Sequence, residues 1–281
     1  MKKFSVVLAL AVAGTAYADP FEKAEVTRTV NKVTLIQGQK GSKPAEVGDV
    51  VTGEKAVKTG DDSRAELQFP DKTITRLGSN ALFRFRTDTR DMTLDGGTLL
   101  FSCPKKEGGG QVQAGAVTAA VTGTDFIISY IVGGEVRVVV LEGKVWVYLT
   151  KFPAIRRLVR SGQLVAVPAG ADKIPEVMTI DLKHLIKTSR LLESGGFKPL
   201  FSEALINRIA DSQQGHIHKL PDGTPLGQQT AQQARIAGGP PPPKPPKAAV
   251  TPPPAPRPIV TPPPKPPKPR PTPPSGPTPP P

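Results

Sequence analysis

Apolar and polar residues alternate in short runs through the first 170 residues, and a period of two residues is typical of half-buried β-strands. Residues 82–86 show the pattern clearly, because Phe83 and Phe85 share one side while Arg84 and Arg86 share the other. Gly, Pro, Asp and Asn separate almost every pair of runs. The ten predicted strands are 47–53, 65–69, 73–77, 82–86, 98–102, 117–121, 126–132, 136–141, 145–149 and 163–167.

This spacing leaves no room for crossover helices between strands, which excludes a doubly wound α/β fold. The sequence predicts a mainly β protein: a compact antiparallel β-sandwich or roll, or a short solenoid, of about ten strands. Two short helices and a disordered, proline-rich tail are predicted to follow.

The helical period appears after the β region. The first predicted helix covers 181–192 and ends before Gly195 and Gly196, and Ser202 is predicted to cap the second. The apolar stripe of the second helix consists of Leu205, Ile206 and Ile209. Helices this short need tertiary contacts, so we expect the stripe to dock either on the β domain or on a partner protein.

The two ends of the chain have unusual compositions. Two lysines, an apolar run and Ala16-Tyr17-Ala18 predict a cleaved signal peptide, and hence an exported protein, periplasmic or extracellular. The apolar run is shorter than the roughly 20 residues of a membrane span, so no span is expected in the mature chain. Residues 238–281 are mostly proline, with six basic residues and no acidic one, which predicts an extended, disordered tail.

The sequence therefore divides into six predicted regions. They are a signal peptide (1–18), an N-terminal segment (19–43), a β domain (44–170), a helical appendage (176–212), a linker (213–237) and the proline-rich tail (238–281). Without the signal and the tail, the net charge falls from +13 to about +5, which does not indicate a nucleic-acid partner. The tail itself is expected to contact anionic cell-wall or membrane surfaces.

Candidate chemistry is sparse, and no cofactor, metal site or catalytic residue is predicted. The three histidines, His184, His216 and His218, lie outside the β region, and no Gly-x-Ser-x-Gly elbow is present. Cys103, the only cysteine, is interpreted as a buried thiol, with an intermolecular disulfide as the alternative.

Charged residues of the β region receive structural interpretations. Aspartates such as Asp71 lie in predicted turns, where they serve the backbone. Lys72, Arg76, Arg84 and Arg86 are expected to lie on an exposed, basic sheet face.

Eight short motifs occur in order along the β region. They are VGDVV (47–51), VKTG (57–60), SRAELQFPD (63–71), RLGSNA (76–81), LDGGTL (94–99), VTGTDF (121–126), VLEGKV (140–145) and SGQ (161–163). In this order they resemble the FecR domain family. The structural positions of the motifs are Gly48, Gly60, Asp71, Gly78, Gly97, Gly123, Thr124 and Gly143. Gly123 is predicted to allow a turn or a close backbone approach between two strands.

The resemblance also implies a class of function. The best-known family members sense an occupied outer-membrane iron-siderophore transporter and signal across the inner membrane to a sigma factor, using a cytoplasmic segment and a transmembrane helix. In this sequence a predicted signal peptide stands in their place. The expectation is a non-enzymatic binding or scaffold module that recognises an envelope protein or glycan, with the tail as spacer or tether. The alternative is a periplasmic sensor acting in trans on a membrane-bound regulator.

Overall fold

A computed structural model describes residues 19–38, 41–105, 107–193 and 196–213. Within them the chain forms eighteen strands and two helices. The strands are β1 (Ala24–Val30), β2 (Val33–Ile36), β3 (Ser42–Pro44), β4 (Val50–Val51), β5 (Ala56–Thr59), β6 (Arg64–Gln68), β7 (Ile74–Leu77), β8 (Leu82–Phe85), β9 (Asp91–Leu94), β10 (Gly97–Ser102), β11 (Gly110–Ala114), β12 (Val117–Val121), β13 (Asp125–Tyr130), β14 (Val136–Glu142), β15 (Lys144–Leu149), β16 (Phe152–Arg160), β17 (Gln163–Val167) and β18 (Met178–Thr179). The helices are α1 (Leu182–Thr188) and α2 (Glu203–Ser212).

The strands make two nine-stranded sheets packed face to face, so the predicted mainly β fold is confirmed, as a sandwich. Sheet 1 has the order β18-β17-β14-β13-β10-β7-β6-β1-β4, and sheet 2 has the order β16-β15-β12-β11-β9-β8-β5-β2-β3. Strand pairs are antiparallel except for β9 with β11. From β6 onward, the chain passes from one sheet to the other after each hairpin or single strand, so each such unit lies in the opposite layer from the one before it.

The structure has more strands than the ten predicted because several are short or weakly patterned. Strand β9 has only Met92 and Leu94 facing the core, and β11 has only Val112 and Ala114. Conversely, the predicted strand 47–53 is reduced to β4, since Gly48 adopts a φ of +93° in the preceding turn. Residues 24–43 contribute strands to both sheets, and the predicted domain boundaries stay predictions.

The main core lies between the two sheets and includes a chain of aromatic rings. The rings of Phe21 and Phe69 are 4.1 Å apart between centroids, and those of Phe69 and Phe85 are 5.1 Å apart. Phe101 and Phe126 form a second ring pair further along sheet 1. Offset and edge contacts of this kind add to the free energy gained from burying the rings.

The central strands of sheet 1 are buried on both faces. In β13, Ile128 faces the main core while Ile127 faces a second apolar cluster on the outer side, and Val139 of β14 also belongs to that second cluster. Both helices supply the cover, through residues such as Leu185 and Ile206. Two-sided burial explains why these central strands consist of continuous apolar runs rather than alternating ones.

The two helices begin close to the predicted positions. The carboxylate of Asp181 accepts the backbone N–H of His184 and caps α1, which ends at Thr188, before the predicted end of the helix. Ser202 occupies the N-cap position of α2, but its side chain makes no capping hydrogen bond. Among the described residues, neither helix is long and apolar enough to cross a membrane. The predicted signal peptide and proline-rich tail lie outside the described residues.

Candidate binding surface

The outer face of sheet 2 carries an exposed aromatic and basic surface on strands β15 and β16. Along β15, Val145 and Val147 are buried in the main core, so the residues between them face outward. The antiparallel register places each outward residue of β15 opposite one of β16. We call the resulting set the Trp146 surface: Lys144 opposite Arg160, Trp146 opposite Leu158, and Tyr148 opposite Arg156.

Trp146 is the centre of this surface. Its relative exposure is 43%, and the guanidinium carbon of Arg156 lies 4.8 Å from the centroid of the indole. This cation–π contact holds Arg156 against the ring without consuming its N–H groups in an ion pair. The arrangement leaves a partly exposed indole beside guanidinium donors that can meet an acceptor on another molecule.

A polar row supports one side of the surface. The hydroxyl of Tyr148 donates to Oε1 of Gln111, and the hydroxyls of Thr118 and Thr150 are 2.9 Å apart. Burial raises the pKa of the Tyr148 phenol, and the negative charge of Asp91 raises it further. Tyr148 therefore remains a protonated donor, and its ring is fixed beside Trp146.

The basic residues of the Trp146 surface lack carboxylate partners. Lys144, Arg156 and Arg160 form no ion pair with any residue in the described part of the chain. Elsewhere on the same sheet, by contrast, Arg84 is 2.5 Å from the carboxylate of Asp95. The surface therefore presents uncompensated positive charge around an aromatic centre.

A buried ion pair lies in sheet 1, on the opposite side of the sandwich from the Trp146 surface. Glu66 of β6 and Arg76 of β7 are direct cross-strand neighbours, with Oε2 and Nε 2.8 Å apart and side-chain exposures of 1% and 2%. The hydroxyl of Thr27 donates to the other carboxylate oxygen at 2.7 Å. The expectation that Arg76 lies on an exposed basic face is therefore wrong, whereas Arg84 and Arg86 are exposed as expected.

Arg76 also holds the connection between the two helices, which we call the strap (described residues 189–193 and 196–202). Its guanidinium donates to the carbonyl oxygen of Leu191 at 2.7 Å and to that of Lys198, and it lies 4.7 Å from the ring centroid of Phe197. Burial lowers the pKa of Arg76, while the carboxylate of Glu66 opposes that shift. A cavity of 240 Å³ lies beside this contact. Its volume is below the roughly 300–1,000 Å³ of most ligand pockets.

The predicted docking residues of α2 have different environments. Ile206 is 3% exposed within the outer cluster of sheet 1, and Ile209 packs against that cluster. Leu205 is half-buried outside the cluster. Their burial favours an internal role, and docking of a partner through Leu205, Ile206 and Ile209 stays a prediction.

The VTGTDF segment joins β12 of sheet 2 to β13 of sheet 1. Gly123 has a φ of +65°, and a Cβ at this position would overlap the Cα of Lys105. Gly143 has a φ of +89°, and a Cβ there would overlap the methyl group of Thr124, which is itself buried. The two glycines therefore permit close packing where the chain changes sheet.

The other motif positions also lie at the ends of strands. Asp71 accepts the backbone N–H of Thr73 at 2.9 Å and is 2.5 Å from Arg90. The remaining motif glycines are Gly48 before β4, Gly60 after β5, Gly78 after β7 and Gly97 at the start of β10.

Asp125 at the end of the VTGTDF segment is a buried acid that the sequence analysis did not identify. It lies opposite Ser102 of β10 and Glu142 of β14. Its Oδ2 and the hydroxyl of Ser102 are buried without a hydrogen-bond partner in the described structure. Burial raises the pKa of Asp125 to about 7, and the charge of Glu142 also raises it, whereas the nearby Ser102 hydroxyl, Arg76 and Lys105 lower it. Lys105 instead pairs with Glu142 at 3.0 Å.

These groups do not assemble into a recognisable reactive centre. Within the described ranges, no cluster of three or more His, Cys, Asp and Glu side chains is arranged to hold a metal ion. His184 is exposed on α1, while His216 and His218 lie outside the described residues. Cys103 is a buried free thiol, and burial raises its pKa.

Comparison with known proteins identifies the central part of the chain. No curated protein matches it. Two solved structures, each of a candidate anti-sigma factor from Parabacteroides distasonis, are similar at 16% identity and a TM-score of 0.40. The similarity covers 47% of this chain and 64% and 63% of theirs, just under two thirds. The model of the family described as FecR protein matches residues 55–146, which run from the start of β5 into β15. The chain therefore carries a FecR domain, in residues 55–146.

Proposed function

We propose that this chain is a non-enzymatic regulatory module of the bacterial envelope, in which the FecR-domain sandwich binds a protein partner through the Trp146 surface. The observation that carries the proposal is a 43% exposed Trp146 under the guanidinium of Arg156, on the face opposite the two helices. Trp, Tyr and Arg are the residues most enriched among those that dominate protein interfaces. The Trp146 surface contains all three within two paired strands.

A protein partner suits this surface better than a glycan. Arg156 already covers part of the indole of Trp146, whereas a sugar ring binds by stacking on an open aromatic face. The same contact leaves guanidinium N–H groups available for the carbonyl and carboxylate groups of a polypeptide.

The class of partner that the FecR relationship favours is a membrane-bound regulator, on which the chain acts as a sensor in trans. Export to the periplasm or cell exterior is part of this proposal, and it rests on the predicted signal peptide. In the alternative arrangement, the module is a scaffold that the proline-rich tail spaces from the envelope. Cell fractionation with and without residues 238–281 separates the two, because only a tether makes the distribution depend on the tail.

The binding role is tested with the full chain and two single variants. Trp146→Ala removes the centre of the surface, and Phe201→Ala removes a 63% exposed ring of the strap as a matched control. Partners captured from envelope extract are purified, and their dissociation constants are measured directly. We expect the affinity to fall at least about tenfold for Trp146→Ala and to stay unchanged for Phe201→Ala. Equal affinities for all three proteins overturn the proposal.

A further inference from the structure

The Trp146 surface contains a like-charged pair that the fold itself does not require. Lys144 and Arg160 lie directly opposite each other on β15 and β16, and both are exposed. Like charges in directly opposed positions destabilise a sheet by several tenths of a kcal/mol. No carboxylate of the described chain compensates them, so a negative group on another molecule would relieve the repulsion.

The positive charges flank an apolar centre in three successive rows. By backbone position, the first row is Lys144 with Arg160, the second is Trp146 with Leu158, and the third is Tyr148 with Arg156, whose guanidinium reaches back over one side of the indole. Adjacent rows are about 7 Å apart along the strands, which is also the spacing of side chains i and i+2 in an extended peptide. A ligand with acidic side chains on both sides of an apolar one would match this order of charge and apolarity.

We infer that the partner bound by the Trp146 surface presents an acidic, extended polypeptide segment, an inference that rests on the proposed function. One carboxylate meets Lys144 and Arg160, and a second meets Arg156. An apolar side chain between them covers Leu158 and the exposed part of the indole. Arginine–carboxylate contacts are frequently bidentate and charge-assisted, which gives such a segment a defined position.

The chain's own tail lacks the acidic residues that this ligand needs. Residues 238–281 carry six basic residues and no acidic one, so their sequence cannot supply an acidic segment. We therefore assign the ligand to an acidic segment of a different protein.

The inference can be tested by intrinsic fluorescence, because Trp146 is the only tryptophan of the sequence. The probe is a synthetic peptide, acetyl-Ser-Glu-Ser-Leu-Ser-Glu-Ser-amide, titrated into the full chain at low salt. The matched peptide has Gln in place of each Glu. We expect a saturable change in emission with the Glu peptide only, and weaker binding as salt screens the charges.

Substitutions identify the basic residues that bind the Glu peptide. The double substitution Arg156→Gln and Arg160→Gln should weaken binding of the Glu peptide by about tenfold or more. Arg84→Gln is the control, since Arg84 lies on the same sheet but is paired with Asp95. All these side chains are exposed, and thermal unfolding verifies that each variant is folded.

The outcomes separate this inference from the binding role itself. Equal binding of the Glu and Gln peptides, or equal losses for Arg84→Gln and the double variant, overturns the acidic segment. Saturable binding of polygalacturonate in preference to the Glu peptide also overturns it, in favour of an anionic glycan. If a purified partner loses affinity with Trp146→Ala but keeps it with the double variant, the binding role stands and the acidic segment fails.

Discussion

Glu66 and Arg76 face each other across β6 and β7 with their charged groups 2.8 Å apart, and neither side chain is more than 2% exposed. The same guanidinium holds two carbonyl groups of the strap, which come from residues more than 110 positions later in the chain. One side chain therefore links the FecR domain to the helical appendage.

Removing either partner of this ion pair should be costly. Arg76→Met leaves the Glu66 carboxylate buried without its countercharge, and Glu66→Gln does the reverse, so each should lower the free energy of unfolding by about 3–5 kcal/mol. Urea denaturation measures the change. Asp95→Asn, which breaks the exposed pair with Arg84, should cost less than about 1 kcal/mol. Similar losses of unfolding free energy for the buried and the exposed pair would contradict the importance assigned to the Glu66–Arg76 pair.

Gly123 should tolerate alanine far less well than Gly133. Both adopt positive φ, +65° and +74°, so both variants incur the roughly 1–2 kcal/mol of left-handed strain. A Cβ at Gly123 also overlaps backbone of Lys105, whereas nothing lies within 4 Å of one at Gly133. Gly123→Ala should therefore lose about 1–3 kcal/mol more in chemical denaturation. An equal loss at both sites would show that the close approach to Lys105 relaxes freely.

Asp125 should make the protein less stable as the pH rises from about 4 to 7. Its pKa is raised from 3.8 to about 7 in the folded chain, so over this range the folded state holds a proton that the unfolded state has lost. The stabilisation is complete below pH 3.8 and is lost as the pH rises through the folded pKa. Each pH unit in the window changes the contribution of one group by up to about 1.4 kcal/mol.

Asp125→Asn removes that titration. The difference in free energy of unfolding, variant minus wild type, should increase by about 2–4 kcal/mol from pH 4 to pH 8, because only the wild type loses stability over this range. Urea denaturation across a pH series measures this difference. Asp49→Asn is the control, because the backbone N–H of Glu46 and the side chain of Lys43 lower the pKa of Asp49. Its effect is confined to acidic pH and has the opposite sign. A wild-type slope retained in Asp125→Asn would exclude Asp125 as its source.

Substitutions in the apolar stripe of α2 can distinguish a role in the core from a role in docking a partner. Ile206→Ala empties a fully buried position and should lower stability by about 2–5 kcal/mol, whereas Leu205→Ala, at a half-buried position, should cost clearly less. Thermal unfolding compares the two variants. If both are as stable as wild type, but binding of the purified partner is lost, the stripe is a docking site instead.

The alternation of apolar and polar residues correctly predicts a strand that has one solvent-exposed face. Phe83 and Phe85 of β8 alternate with exposed arginines, and both the strand and its orientation follow from the sequence. The same reasoning misplaced Arg76, since it assumed that the outer face of sheet 1 meets solvent. The strap that covers this face comes from residues near 190–200, and no local periodicity reveals a cover so distant in sequence.

The Trp146 surface was only partly accessible from the sequence. The alternation in KVWVYL places Trp146 and Tyr148 on one side, away from Val145 and Val147. The neighbouring strand β16 has no clear period and contains Pro153, so the pairing of Trp146 with Leu158 and its contact with Arg156 are evident only in the folded structure. Asp125 was missed for a similar reason, because its burial depends on strands β10 and β14 on either side.

Strand β16 forms one edge of sheet 2, and its register against β15 shifts so that residues 153–155 fall outside the regular ladder. Pro153 has no N–H to donate to another strand, and the exposed Arg156 and Arg160 follow it along β16. Irregularity, proline and positive charge are the features by which natural sheets resist joining edge to edge with their copies. Molecules crowded together on a surface would thus be protected from fibril-like association at this edge.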